Sequence, residues 1–171
     1  MSAQRRLPFK LFELIKSSKM TKPPEDHFID AMGLHYESAG ASRLMGRILG
    51  WLLICDPPHQ SSQQLMERLQ TTSGTISTNT RILMMMGLLQ KVHVTGERAS
   101  YFQIAEDAWH RTLVEQMKHM TAVRLLAADS LHKLSATHDT ARLRGMHELY
   151  SRFEEHFEQL LSDWEREHSP S

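Results

Sequence analysis

The residues from Ser73 to Arg81 carry the side chains best suited to chemistry with a partner. They are Ser73, Thr75, Ser77, Thr78, Asn79 and Arg81, with no carboxylate among them. Short hydroxyl and amide donors beside one guanidinium can approach a polyanion closely, hydrogen-bonding to phosphate oxygens and to base edges in a duplex groove. Ile76, Thr80 and Leu83 recur at helical spacing on the other side. The stretch therefore reads as an amphipathic helix with one face for a core and one for nucleic acid. Lys91 and Arg98 follow as two further cations able to meet phosphate.

Other chemistries fit less well. Eleven histidines invite a metal site. His147-Glu148 opens like a zinc-protease helix, but Ser151 stands where the second histidine is required. Neither His27, His35, His110 and His119 nor His132, His138, His147 and His156 has a tight ligand spacing, so no metal ligand is assigned. Cys55 is the single cysteine, which excludes an intramolecular disulfide and suits a reducing cytoplasm. It ends an apolar helix beside Asp56, whose charge raises a thiol pKa, so it reads as structural rather than redox-active. Met84-Met85-Met86 reads as adaptable core filling. With no Gly-rich phosphate loop, nucleophile elbow or paired carboxylates, neither an enzyme nor a bound cofactor is expected.

The elements that position the Ser73–Arg81 helix flank it. Ser62 to Leu69 reads as a helix with Leu65, Met66 and Leu69 on one face, broken at Gln70-Thr71-Thr72. Thr72 or Ser73 caps the restart, because a hydroxyl oxygen accepts from an unpaired first-turn N–H. Gly87-Leu88-Leu89 stops the second helix. Lys91 to Val94 and Ser100 to Ile104 read as strands, and Gly96 between them suits a tight turn. Helix, turn, helix and hairpin make a winged helix-turn-helix over 61–104. The expected fold class is mainly α with a small β-hairpin wing.

Upstream, Phe28, Met32 and Tyr36 share one face of a helix that begins at Glu25. A second helix runs from Arg43 to Cys55, with Gly46 and Gly50 spaced to admit a neighbouring helix closely. Downstream, a long helix over 106–134 has Leu113, Met117, Met120, Ala127, Leu131 and Leu134 in a 4-3 pattern that Arg124 interrupts. The last helix, 141–167, places Met146, Tyr150, Phe153, Phe157, Leu160 and Trp164 on a near-heptad stripe. Such a stripe needs a large partner surface and predicts a homodimer interface ahead of packing within the chain alone. The division expected is a basic arm over 1–24, the upstream helices and winged unit over 25–104, and dimerising helices over 105–171.

Gly46-Arg47-Ile48-Leu49-Gly50 running to Asp56-Pro57-Pro58, then Gly74-Thr75-Ile76-Ser77-Thr78, Arg81 and Gly87-Leu88-Leu89, resembles the GbsR-type branch of the MarR-like regulators. Phe28-Ile29 and Met32-Gly33 also fit that branch, and the likeness covers about Phe28 to Leu134. The resemblance implies a dimeric bacterial DNA-binding regulator whose recognition helix contains Thr75 to Arg81 and whose wing contains Arg98. It also implies a small-molecule effector held between dimer core and DNA-binding unit, for which Tyr36, Trp51, Trp109 and Met120 are the candidate lining residues. Choline or osmolyte control is one form this could take. Two residues depart from the pattern: Gln70 stands where such turns often carry Gly, and Ser73 where a basic residue is common.

Net charge is zero, with 20 basic and 20 acidic residues. The layout is uneven. Residues 1–22 hold six cations against Glu13, whereas residues 145–171 hold seven carboxylates against Arg152 and Arg166. Local field rather than total charge steers association with DNA. No window approaches the ~18 uninterrupted apolar residues of a membrane helix. The expected protein is a cytoplasmic homodimer that binds a palindromic operator on double-stranded DNA and acts as a repressor. Two alternatives stay open: a winged-helix module that docks protein, and a metal-responsive regulator.

Overall fold

The structure, a computed structural model, describes residues 22–97, 99–134 and 138–168. Residues 1–21 of the expected basic arm, and Arg98, expected in the wing, lie outside the described residues. The chain forms two compact units, Met1–Ala108 and Trp109–Ser171.

The first unit begins with α1 (Pro24–Ser38) and α2 (Arg43–Leu52). Helix α1 starts one residue earlier than the Pro23-Pro24 pair predicts, because Pro24 occupies the first helical position, where its missing N–H costs nothing. Ser42 caps α2 by accepting from the Leu44 N–H. The two helices pack through glycine. A Cβ on Gly46 would sit 2.2 Å from the Met32 carbonyl oxygen, so the backbones touch directly. The buried face of α1 belongs to Ile29 rather than to Phe28, which is 37% exposed.

Next come β1 (Gln60–Ser61), α3 (Ser62–Leu69), α4 (Ser73–Met85), β2 (Leu89–His93) and β3 (Ser100–Ile104). Helix α3 opens on a capping box: Ser61 Oγ accepts from the Gln64 N–H while Gln64 Oε1 accepts from the Ser61 N–H. It ends at Gln70, whose φ of 52° is left-handed. The Arg47 guanidinium donates to the Leu69 carbonyl, satisfying an acceptor that the helix end leaves open. Thr72 caps α4 through the Thr75 N–H. Gly87 and Gly96, with φ of 73° and 88°, make the turns after α4 and at the hairpin tip.

The sheet has three strands in the order β1-β3-β2, all antiparallel. Lys91 and Gln60 both pair with Phe102, from opposite sides of β3. The hairpin was expected; the third strand was not. One core joins these parts: Ile29, Ile48, Leu49, Leu65, Leu69, Ile76 and Leu83 are almost wholly buried, with Phe102 contributed by the wing.

The second unit holds α5 (Ala108–Leu134), whose first residue closes the first unit, and α6 (Ala141–His168). The helices run antiparallel, as side-chain pairs between them require. His110 meets Glu165 near one end, and Glu154 takes both the Thr121 hydroxyl and the Arg124 guanidinium further along. Among the described residues no helix is long and apolar enough to cross a membrane.

Candidate nucleic-acid interface

Helix α4 buries Ile76, Asn79, Thr80 and Leu83 and exposes Thr75, Ser77, Thr78 and Arg81. Burial of Thr80 is satisfied locally, since its hydroxyl donates to the Ile76 carbonyl at 2.9 Å. Asn79 departs from the expected partner-facing set. It is 6% exposed, and its amide donates to the Thr75 carbonyl at 2.8 Å, so it serves the helix rather than the surface. Four helical residues of similar polarity thus divide by position: at helical spacing Asn79 falls beside Ile76 and Leu83, on the core side.

The exposed hydroxyls are not equivalent. Thr78 donates to the Gly74 carbonyl at 3.0 Å, leaving its lone pairs to accept. The Thr75 and Thr72 hydroxyls pair with each other at 2.7 Å across the first turn. Ser77 and Arg81 are exposed on the flank towards the wing, and among the described residues no carboxylate pairs with Arg81. Ser73 is exposed at the first helical position.

A groove of about 580 Å³ runs between α4 and the sheet. Ser77, Arg81 and Met84 form one wall, Lys91 and Ser100 the other, and Ser62 and Gln63 close one end. Lys91 stands 5.9 Å over the Phe102 ring, so its ammonium is held above the sheet. Ser62 and Gln63 line the groove although sequence patterning does not single them out. They occupy the first turn of α3, and only the fold brings that turn beside Arg81. Met85 and Met86 depart from core filling: they are 81% and 52% exposed, while only Met84 packs against the core. The buried face ends at Leu83, so the next two positions beyond Met84 turn outward.

The effector candidates separate. Tyr36 and Trp51 belong to the first unit, Trp109 and Met120 to the second. Burial raises the Tyr36 hydroxyl pKa. The Arg68 guanidinium lies 4.6 Å over the Trp51 ring, and the shielded Trp51 indole N–H has no acceptor among the described residues. Cys55 is buried; burial, then the adjacent Asp56, pushes its thiol pKa up. Among the described residues no cluster of three or more His, Cys, Asp or Glu could hold a metal ion.

On the second unit, Met146, Tyr150 and Phe157 of the aromatic stripe are half-buried, whereas Phe153, Leu160 and Trp164 are exposed. Leu125, Leu126 and Leu149 add to the apolar surface of that unit.

Three comparisons with known proteins agree. A family model described as "MmpR5-like MarR family transcriptional regulator" matches residues 107–167. The HTH-type transcriptional regulator MmpR5 of Mycobacterium tuberculosis (strain ATCC 25618 / H37Rv) is 36% identical over 144 residues, which is 83% of this chain and 85% of that protein. A crystal structure described as a transcriptional regulator superposes with a TM-score of 0.65 at 35% identity, covering 84% of this chain and 99% of its own.

Proposed function

This chain belongs to the MarR family of transcriptional regulators, as an MmpR5-like member, and from that premise we propose a homodimeric repressor that reads a palindromic operator and releases it when a small molecule binds. The observation that carries the DNA-reading part is the outward face of α4. Thr75, Ser77, Thr78 and Arg81 project from one helix beside a basic groove, with no carboxylate on that face. A helix of about 10–12 Å diameter fits the roughly 12 Å major groove. Arg81 and Ser77 then face base edges, and Lys91 faces the adjoining backbone. Arg98 follows β2 and completes the wing in this reading.

Dimerisation is supported by the exposed Phe153, Leu160 and Trp164. Burying each large side chain against a second copy contributes about 1.5–3 kcal/mol. Two subunits also read two half-sites one helical turn apart, which a lone recognition helix cannot do. The unit boundary at Ala108 suits a division into a reading unit and a dimerising unit. A cytoplasmic location is consistent with this role.

For the effector, the Trp51 indole N–H without an acceptor is the supporting observation, because a shielded donor left unpaired costs about 1–3 kcal/mol. A ligand carbonyl or carboxylate would satisfy it. The Arg68 guanidinium already occupies one face of that ring, so a quaternary ammonium would not find both faces free there. Choline or osmolyte control therefore rests on the GbsR-type resemblance of Gly46–Gly50 and Gly74–Thr78, not on Trp51. The alternative, a protein-docking winged helix, draws its support from exposed Ile82, Met85 and Met86 at the end of α4.

Arg81→Ala tests the reading. The variant is expected to lose gel-shift affinity for an operator at least tenfold while sedimenting as the same dimer. An unchanged shift removes Arg81 from the contacts, and if Ser77→Ala is also silent the α4 face is not the reading surface.

A further inference from the structure

Helix α4 has a second flank. A cleft of about 430 Å³ opens there, lined by Lys22, Asp30, Arg43, Arg47, Thr71 and Thr75. At about 3.6 residues per turn, Thr75 lies across the helix from Ser77 and Arg81, with Gly74 and Thr78 on the outward ridge between. The groove beside the wing and this cleft therefore border opposite sides of the same exposed face.

Three cations meet one carboxylate in the cleft. Two of the cations are already engaged. Lys22 Nζ reaches Asp30 Oδ2 at 2.9 Å, and Arg47 Nε lies 3.4 Å from Asp30 Oδ1 while its Nη1 donates to the Leu69 carbonyl. Arg43 is different. Its nearest carboxylate, Glu37, is 4.0 Å away and both side chains are about half exposed, an arrangement worth little in water. The cleft thus keeps an excess of positive charge, and the half-exposed Arg43 guanidinium, which acts on Asp30 only through its charge, is loosely held. Thr71 also lines the cleft and adds a hydroxyl, a neutral hydrogen-bonding group.

Both walls of a duplex major groove are phosphate backbone, so a helix lying in it has a strand on each flank. Lys91 serves the flank beside the wing. We propose that the cleft of Lys22, Arg43, Arg47 and Thr71 grips a backbone phosphate of the other strand, with Arg43 as the principal contact and Arg47 as the fixed floor. This rests on the DNA-reading role of α4 argued above. It adds a contact from α2 and from the residue just before Pro23-Pro24, neither of which is part of the helix-turn-helix.

A phosphate contact has a signature that a structural role lacks: it weakens all sequences alike and lowers the salt slope. The full-length protein, Arg43→Ala, Arg43→Lys and Lys22→Ala would be titrated against a duplex selected from a random pool and against a scrambled duplex, over a range of salt. Arg43→Ala is expected to lose roughly tenfold on both duplexes. Its slope of log affinity against log salt should flatten by about 0.9 per phosphate given up. Arg43→Lys should recover the slope, because it keeps the charge, and Lys22→Ala should show a smaller loss of the same kind.

Unchanged affinity and slope in Arg43→Ala, with the parent protein binding normally, overturns the cleft contact and leaves the α4 reading intact. A loss confined to the selected duplex with no change of slope also overturns it. So does calorimetric binding of inorganic phosphate alone, tight in the parent and lost in Arg43→Ala, which would make a free anion the occupant. If the parent protein binds no duplex at all, the DNA-reading role fails and the cleft contact with it.

Discussion

Gly46→Ala adds one methyl group at the place where α1 and α2 meet. The new Cβ would lie 2.2 Å from the Met32 carbonyl oxygen, 2.7 Å from the Met32 carbonyl carbon and 2.9 Å from Gly33 Cα. All three are backbone atoms of a regular helix, so no side-chain rotation relieves the contact. Restoring an ordinary separation of at least 3.4 Å requires α1 to retreat by about an ångström, which opens voids along Ile29 and Met32. Overpacking typically costs 1–3 kcal/mol, and a backbone clash belongs at the upper end. Alanine recovers about 1 kcal/mol of helix propensity. The expected net loss is about 2 kcal/mol. For a chain of this size that is a fall in Tm of roughly 4–8 °C, measured by circular dichroism at fixed protein concentration. Gly50→Ala, whose nearest contact is 3.1 Å and to a side chain, should lose less. Gly145→Ala on α6 meets nothing within 4 Å and should gain stability by up to about 1 kcal/mol. A Gly46→Ala variant that melts with or above the parent would refute the close-packing argument.

Three further outcomes follow from other parts of the chain. Gln70 holds a left-handed φ of 52°, which costs a side-chain-bearing residue roughly 1 kcal/mol, so Gln70→Gly should raise Tm by about 2–4 °C; a fall would mean the Gln side chain matters more than its backbone. The Glu154 carboxyl is held below the usual range, first by the Thr121 hydroxyl and, against its partial burial, also by Arg124. Its folded pKa is therefore depressed, so the stability it adds is present above about pH 4.3 and is lost as pH falls through the lower folded value. Glu154→Gln should abolish that acid-side loss and lower stability near neutrality by about 1–3 kcal/mol, seen in thermal melts across pH. Phe153→Glu with Leu160→Glu puts charge on the exposed stripe of α6 and should give a monomer in sedimentation; a persistent dimer would place the interface elsewhere.

The helix-turn-helix was legible because its signals are local. Thr72 caps where a hydroxyl before an amphipathic run should, and Gly96 turns where the strands require it. Three features were not legible, the first of them for a reason distant in the chain. Gln60–Ser61 becomes a strand only because Phe102 and Tyr101 lie beside it; two polar residues carry no periodicity of their own. Asn79 looks like a surface donor in sequence, yet its amide returns to the Thr75 carbonyl and lets it sit at the core edge. Met85 and Met86 look like core and are not, because a triplet of methionines has no phase until Leu83 fixes one. The same limit hid the second cleft. Lys22 and Arg43 lie far along the chain from Thr71 and Thr75, and only the packing of α1 on α2 and of α2 on α3 and α4 brings them together. The α6 stripe was visible as periodicity, but its division into half-buried Tyr150 and exposed Phe153 and Trp164 depends on where α5 lies against it.

Selection of bound duplexes from a random pool, followed by a salt titration on the winner, decides whether two copies of α4 read DNA. An inverted repeat with half-site centres about 34–36 Å apart is the expected outcome. With about six to ten phosphates neutralised, affinity should fall by roughly 10³–10⁵ between 50 and 200 mM salt. No enriched sequence together with a flat salt response would contradict that reading and leave the exposed apolar end of α4 as a protein-docking surface.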